Sequence, residues 1–138
     1  TSINGSPGLT ILMVENEEVT VCLLEFVLQK NGYRVIHSNN GEHAKRLMST
    51  MDPPDAVLID MILPDTTGLD LLAYLRIQAR WQTTPVAMLT TNAESLDPAQ
   101  TALLGVVDYI LKPVSPTRLA TRWNRLVKQP RRKQTRVA

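Results

Sequence analysis

Four apolar runs in this 138-residue chain end on groups that can do chemistry. LTILMV (9–14) delivers Glu15 and Asn16, DAVLID (55–60) ends on Asp60, PVAMLT (85–90) ends on Thr90 with Thr91 next, and VVDYILK (106–112) ends on Lys112 before Pro113. Carboxylates and an amide are hard oxygen ligands of the kind Mg²⁺ takes while keeping several waters and pairing with phosphate oxygens. An ammonium can neutralise a phosphoryl oxygen, and a threonine hydroxyl can hydrogen-bond one. Asp60 would then be a carboxylate nucleophile carrying the group as an aspartyl phosphate, with metal and Lys112 stabilising charge on the transferring oxygens. Taken singly, each residue has an ordinary alternative: Thr90 a helix cap, Lys112 a solvated cation, Asp60 a turn residue. Their joint placement at run ends is what favours the chemistry.

Such residues converge only if the runs are parallel strands of one sheet. With YRVIH (33–37) there are five runs, and the first, third and fourth are near-continuously apolar, as strands covered on both faces are. Segments of helical spacing separate them: Glu17 to Asn31, Gly41 to Met51, Gly68 to Arg80, Glu94 to Leu104 and Ser115 to Lys128. In the first, Cys22, Leu23, Phe26, Val27 and Lys30 recur at steps of three and four before the stop Asn31-Gly32. In the last, Leu119, Trp123 and Leu126 form an apolar stripe beside a basic one of Arg118, Arg122 and Arg125. Strand and helix alternating five times predict a doubly wound α/β domain with a five-stranded parallel sheet and helices on both faces. Its ligand site lies outside the carboxyl ends of the strands, where strand order reverses.

Composition sets the bounds. With 43% hydrophobic and 20% charged residues, the chain has the makings of one ordinary core. The expected layout is a flexible start (1–8), one domain (9–128) and a basic tail or truncated linker (129–138). No apolar run approaches the roughly 18 residues of a membrane helix, and TSINGSPG lacks a secretory layout, so a cytoplasmic protein with no membrane partner is expected. Cys22, the single cysteine, excludes an intrachain disulfide and reads as a small core hydrophobe. Residues 1–112 hold 7 Lys or Arg against 13 Asp or Glu, and residues 113–138 hold 8 with no acid. That tail reads as a solvated linker, or as a nucleic-acid contact without aromatic residues past Trp123 to stack on bases.

The quoted stretches also carry a family likeness. VLIDMILPDTTGLDLL (57–72) resembles the phosphoacceptor region of two-component response regulator receiver domains, with Asp60, Leu63, Pro64 and Gly68 on the pattern. PVAMLTTNAE (85–94) is similar to their fourth-strand motif, putting the switch residue at Thr90, and DYILKP (108–113) matches Tyr109, Lys112 and Pro113. The likeness runs from about residue 9 to 128 and extends to the chemotaxis regulators. It implies a flavodoxin-like fold of strand order 2-1-3-4-5. It also implies a Mg²⁺-dependent phosphoryl transfer to Asp60 from a histidine kinase or phosphotransfer protein, with Lys112 and Thr90 assisting. Glu15, Asn16, Asp60 and the backbone carbonyl of Ile62 would hold the metal. Thr90 and Tyr109 would then move, and the face made by the fourth helix, fifth strand and fifth helix would change its partner, through a homodimer or a C-terminal DNA-binding or other output domain. Such a domain is a signalling switch whose only chemistry is its own phosphorylation and dephosphorylation.

Some positions depart from the pattern. Glu15-Asn16 stands where the family has two acids, usually Asp-Asp, which lowers the formal charge of the pocket from −3 to −2. The alternative is therefore a pseudo-receiver, a phosphorylation-independent dimerisation or adaptor module. Glu17 and Glu18 read as a helix start, where acids suit the dipole. Ile62, two past Asp60, and small polar Asn92, two past Thr90, stand where side chains of that family help or hinder attack by water, and the apolar Ile62 hints at slow hydrolysis. Val106-Val107 read as core, and His37 and His43 as surface or helix-edge residues. Arg122 falls where receivers joined to winged-helix domains pair with a partner's fourth helix, and Asp97 is the only acid between Ser95 and Leu104. A flavin or nucleotide enzyme finds no GxGxxG, Walker loop or nucleophile elbow.

Overall fold

The computed structural model describes residues 8–92 and 96–127, the last three of these by their backbone. The order is β1 (Thr10–Val14), α1 (Glu18–Lys30), β2 (Arg34–Ser38), α2 (Gly41–Thr50), β3 (Ala56–Asp60), α3 (Gly68–Ile77), a 3₁₀ turn (Ala79–Trp81), β4 (Val86–Thr90), α4 (Pro98–Leu103), β5 (Val106–Leu111) and α5 (Pro116–Val127). All five strands are parallel, in the order β2-β1-β3-β4-β5. The direction of winding reverses between β1 and β3, so their carboxyl ends frame the crevice.

Why those runs are continuously apolar is visible in the packing. Ile11, Met13, Ala56, Leu58, Ala87 and Leu89 face one side, with Leu24, Leu28, Leu119 and Trp123 of α1 and α5. Leu12, Val14, Val57, Ile59, Val86 and Met88 face the other, with Ala44, Met48, Leu71, Leu75 and Trp81. Each strand feeds two cores, so no alternation with polar residues survives.

Element ends follow local chemistry. Asn40 accepts the His43 N–H (2.8 Å), Thr67 that of Asp70 (3.1 Å) and Asp97 that of Ala99 (3.0 Å), each cap worth about 1 kcal/mol. Asp97 followed by Pro98 at the first helical position begins α4 later than the expected Glu94; Ala93 to Ser95 lie outside the described residues, as do the residues from Lys128 on. The expected Gly68–Arg80 helix stops at Ile77, and the chain turns through Ala79–Trp81 to bury Trp81. In α1 the buried positions are Thr20, Val21, Leu24, Val27 and Leu28, so Phe26 and Cys22 point outward, against the core role expected of Cys22. Val106 packs on the second core, but Val107 is the extra residue of a bulge against β4 and is exposed, so only half of that pair is core.

Candidate functional site

Asp60 is the last residue of β3 and buried, yet it borders an open cleft of about 230 Å³ whose lining includes Asn16, Glu17, Ile62, Thr90, Thr91 and Lys112. Its Oδ1 accepts the Ile62 N–H at 3.2 Å, and its Oδ2 accepts from Lys112 Nζ at 2.7 Å. The same ammonium donates to Glu15 Oε1 at 3.0 Å. Lys112 can reach both because its own N–H bonds Thr90 O at 2.9 Å, continuing the β4–β5 ladder past the strand end, where a cis Lys112–Pro113 bond turns the chain.

Glu15 is fully buried at the tip of β1, and its Oε2 has no hydrogen-bond partner among the described residues. Burial first, and the neighbouring Asp60 carboxyl second, push Glu15 up to about 8 against the pull of Lys112. Burial alone would lower the Lys112 ammonium; hydrogen bonds to Asp60 and then Glu15 override it and hold the group above its ordinary value. Backbone bonds fix the tip: Glu15 N–H donates to Ser38 O (3.0 Å), and the His37 ring Nε2 meets Glu15 O at 2.8 Å. His37 and His43 are thus both engaged, the latter through Nδ1 to Ser38 Oγ at 2.9 Å.

Thr90, buried at the end of β4, accepts the Asn92 N–H on Oγ1 at 3.1 Å. Asn16 is exposed on the cleft rim, and the Ile62 side chain is 78% exposed. Tyr109 is half-buried against the second core, beside Leu104 and Val106. The fold therefore brings Glu15, Asn16, Asp60, Ile62, Thr90 and Lys112 together at one sheet edge and leaves Tyr109 on the neighbouring packing layer. Glu17 precedes α1 but makes no side-chain cap; its carboxylate accepts from Thr20 Oγ1, and it borders the cleft. Arg122 forks onto Asp108 of the same chain at 2.7 and 3.1 Å, an intrachain partner that the spacing did not suggest.

One contact escaped the sequence reading. Asp65, in the loop after β3, accepts the N–H groups of Gly41 (2.8 Å) and Glu42 (2.9 Å), joining that loop to the start of α2. The signal was an acid in a turn and a glycine opening a helix, which do not announce each other across 24 residues. Gly68 is required by close approach: a Cβ there would lie 2.4 Å from the Asp60 carbonyl oxygen.

Residues 11–124 match the family model of the response regulator receiver domain. This chain belongs to that family. The receiver is 37% identical over 112 residues to the alkaline phosphatase synthesis transcriptional regulatory protein PhoP of Bacillus subtilis (strain 168), covering 81% of this chain and 45% of PhoP. The chain thus spans less than half of that relative's length. Among solved structures, the receiver domain of sensor histidine kinase PA1611 from Pseudomonas aeruginosa PAO1, with a magnesium ion in its active site cleft, is 30% identical with a TM-score of 0.78, covering 88% of this chain and 99% of that one. Chemotaxis response regulator CheY4 of Vibrio cholerae, 24% identical, shares the fold at a TM-score of 0.79, covering 86% of this chain and 98% of that one. This is a receiver domain of two-component signalling with the five-stranded flavodoxin-like arrangement of that family. No helix among its described residues is long and apolar enough to cross a membrane.

Proposed function

We propose that this receiver is a working phosphoacceptor switch: Asp60 takes a phosphoryl group from a phosphohistidine of a kinase or phosphotransfer protein. The observation that carries this is the Asp60 carboxylate held by Lys112 at 2.7 Å with the open cleft beside it. An Asp60 carboxylate oxygen attacks phosphorus, the P–N bond to the donor imidazole breaks, and the bonding pair leaves with the imidazole. Lys112, already bonded to Asp60 and Glu15, neutralises oxygens that gain charge. Thr90, whose hydroxyl oxygen holds Asn92 N–H, turns toward the new phosphoryl group, and Tyr109 follows it on the same side of the sheet.

A divalent cation fits the donor chemistry. No group of three His, Cys, Asp or Glu stands together among the described residues, but the donors here are oxygens: Glu15 with its orphaned Oε2, Asp60, the Asn16 amide and the Ile62 carbonyl. Mg²⁺ held by these would neutralise phosphate oxygens. The PA1611 receiver, with magnesium in its cleft, supports that identity.

Output would pass through α4, β5 and α5, whose surface carries exposed Leu103, Val107 and Leu111 beside the Arg122–Asp108 pair. We read residues 9–128 as the receiver and 129–138 as a basic tail or linker. The name of the PhoP relative, a transcriptional regulatory protein, favours a DNA-binding output domain; a homodimer would use the exposed Leu103, Val107 and Leu111 of this face. Incubation with Mg²⁺ and a small phosphodonor such as acetyl phosphate, or with a cognate kinase, labels the wild type with an acid-stable, base-labile phosphoryl group and leaves Asp60→Asn unlabelled. No labelling from any donor sinks the proposal. Asn16, an uncharged side chain on the metal rim, favours the second reading, an adaptor that never binds Mg²⁺.

A further inference from the structure

Both loops that bear the cation's ligands are tied to the turn between β2 and α2. β1 ends at Val14 and α1 begins at Glu18, so Glu15 to Glu17 form a short connection outside either element. Val14 pairs with Ser38 at the end of the β1–β2 ladder. One rung follows, in which the Glu15 N–H donates to Ser38 O at 3.0 Å. The Glu15 carbonyl is met by a side chain instead: His37 Nε2 stands 2.8 Å from it. A carbonyl oxygen carries no proton, so Nε2 is the donor, and residue 15 is tied to β2 through both of its backbone groups. That carbonyl belongs to the planar peptide leading into Asn16. Asn16 is exposed on the cleft rim, and where its amide points follows from the direction of that plane.

The far side of the same turn reaches the loop after β3. Ser38 is buried, its hydroxyl donating to Asn40 O at 3.0 Å and meeting His43 Nδ1 at 2.9 Å. The Asn40 side chain accepts the His43 N–H at 2.8 Å, and the N–H groups of Gly41 and Glu42 go to Asp65 at 2.8 and 2.9 Å. Hydrogen bonds therefore run from Glu15 through Ser38 and the start of α2 to Asp65, which lies in the loop that carries Ile62. A cation with ligands on both loops binds more weakly if it must first order them. In metal sites generally, groups behind the ligands set their direction and are felt in the affinity.

We propose that the β2–α2 turn braces the two loops of the cleft, with His37 as the positioning residue of the Glu15–Asn16 peptide. The inference rests on the reading of the cleft as a divalent-cation site. His37 is not itself a ligand; it acts through the peptide in front of it.

Calorimetric titration of Mg²⁺ into the full chain tests this, in the wild type and in Asn16→Asp. His37→Phe keeps a ring that strands accept and removes the donor. It is expected to weaken Mg²⁺ about threefold in the wild type and about tenfold in Asn16→Asp, the range of one lost hydrogen bond. The second loss is larger because a charged oxygen at position 16 gains more from being aimed, so the two changes are coupled. His37→Gln sets an amide N–H close to where Nε2 stood and is expected to restore both affinities. In the metal-free protein, the amide nitrogen resonance of Asn16, which shares its peptide with the Glu15 carbonyl, is expected to shift in His37→Phe and to stay near its wild-type position in His37→Gln. A merely structural histidine would lower the melting temperature and change both affinities by one common factor. That common factor overturns the proposal, as do affinities or an Asn16 resonance unmoved by His37→Phe, and as does a Gln variant as weak as the Phe variant; each of these leaves the cation site standing. If neither the wild type nor Asn16→Asp binds Mg²⁺, the cation reading falls and the brace falls with it.

Discussion

Asn16 is the residue on which the proposed metal chemistry turns. It stands exposed on the cleft rim, while Glu15 behind it is fully buried, and burial and the Asp60 carboxyl push it up to about 8, which disfavours its charged form. Asp60 and Lys112 cancel each other's charge at 2.7 Å. The cleft therefore offers an incoming cation several oxygens but little net negative charge. Asn16→Asp adds one anionic oxygen where water already reaches, so no buried charge has to be compensated. It is expected to tighten Mg²⁺ at least about tenfold, read by calorimetric titration, and to speed labelling of Asp60 at low Mg²⁺. Unchanged affinity would show that residue 16 does not contribute a ligand. If the wild type binds no Mg²⁺ and the variant does, the adaptor reading holds for the natural sequence and the site is a receiver site lacking one charge.

At the scale of elements, the loop after β3 must be held so that Asp60 and Ile62 face the cleft, and Gly68 and Asp65 are two of the residues that hold it. Gly68 lets α3 begin under the strand tip: an added Cβ would stand 2.4 Å from Asp60 O and 2.9 Å from Met61 Cα, both backbone, and 2.8 Å from Met88 Cε. Backbone cannot give way as a side chain can, so Gly68→Ala is expected to cost about 2 kcal/mol or more in denaturant unfolding and to slow Asp60 labelling. Asp65 ties the other end of the loop to α2. The N–H groups of Gly41 first, and Glu42 next, hold its carboxyl below the usual 3.8. A carboxyl lowered on folding contributes stability above its unfolded pKa and loses it as pH falls through the folded value. Asp65→Asn should therefore melt a few degrees lower at pH 7, and its gap to wild type should close progressively below pH 3.8; a gap independent of pH would mean the charge is not involved. Element types and the strand-end site were legible because a doubly covered parallel strand leaves an uninterrupted apolar run, and the residue ending it, such as Asp60 or Lys112, must emerge at the crevice. The Asp65 contact was not, since it joins a loop to the start of a helix with no shared pattern. Nor was the orientation of α1: its apolar residues satisfy two helical stripes at once, and only packing against α5 and the sheet chose Leu24 and Leu28 over Phe26 and Cys22.

For the whole molecule, one sheet serves two cores, each built around a fully buried tryptophan: Trp123 with α1 and α5, Trp81 with α2 and α3. Alternate residues of the same strands line both, so neither layer can lose its packing while the strands keep theirs. The cores should accordingly melt as one unit. Trp81→Phe leaves Trp123 as the only fluorophore of that kind, and Trp123→Phe leaves Trp81, so each variant reports one layer. Neither indole N–H has a hydrogen-bond partner among the described residues. Replacement by Phe thus gives up volume while removing an unsatisfied donor, and the net cost should stay near about 1–2 kcal/mol. Within each variant, the red shift of tryptophan emission and the loss of helical circular dichroism should share one midpoint in urea. If Trp123 became exposed ahead of the helical signal while Trp81 did not, the layer of α1 and α5 would be separable from the sheet. In that event, the output proposed to leave through α5 would not travel with the packing of the β strands.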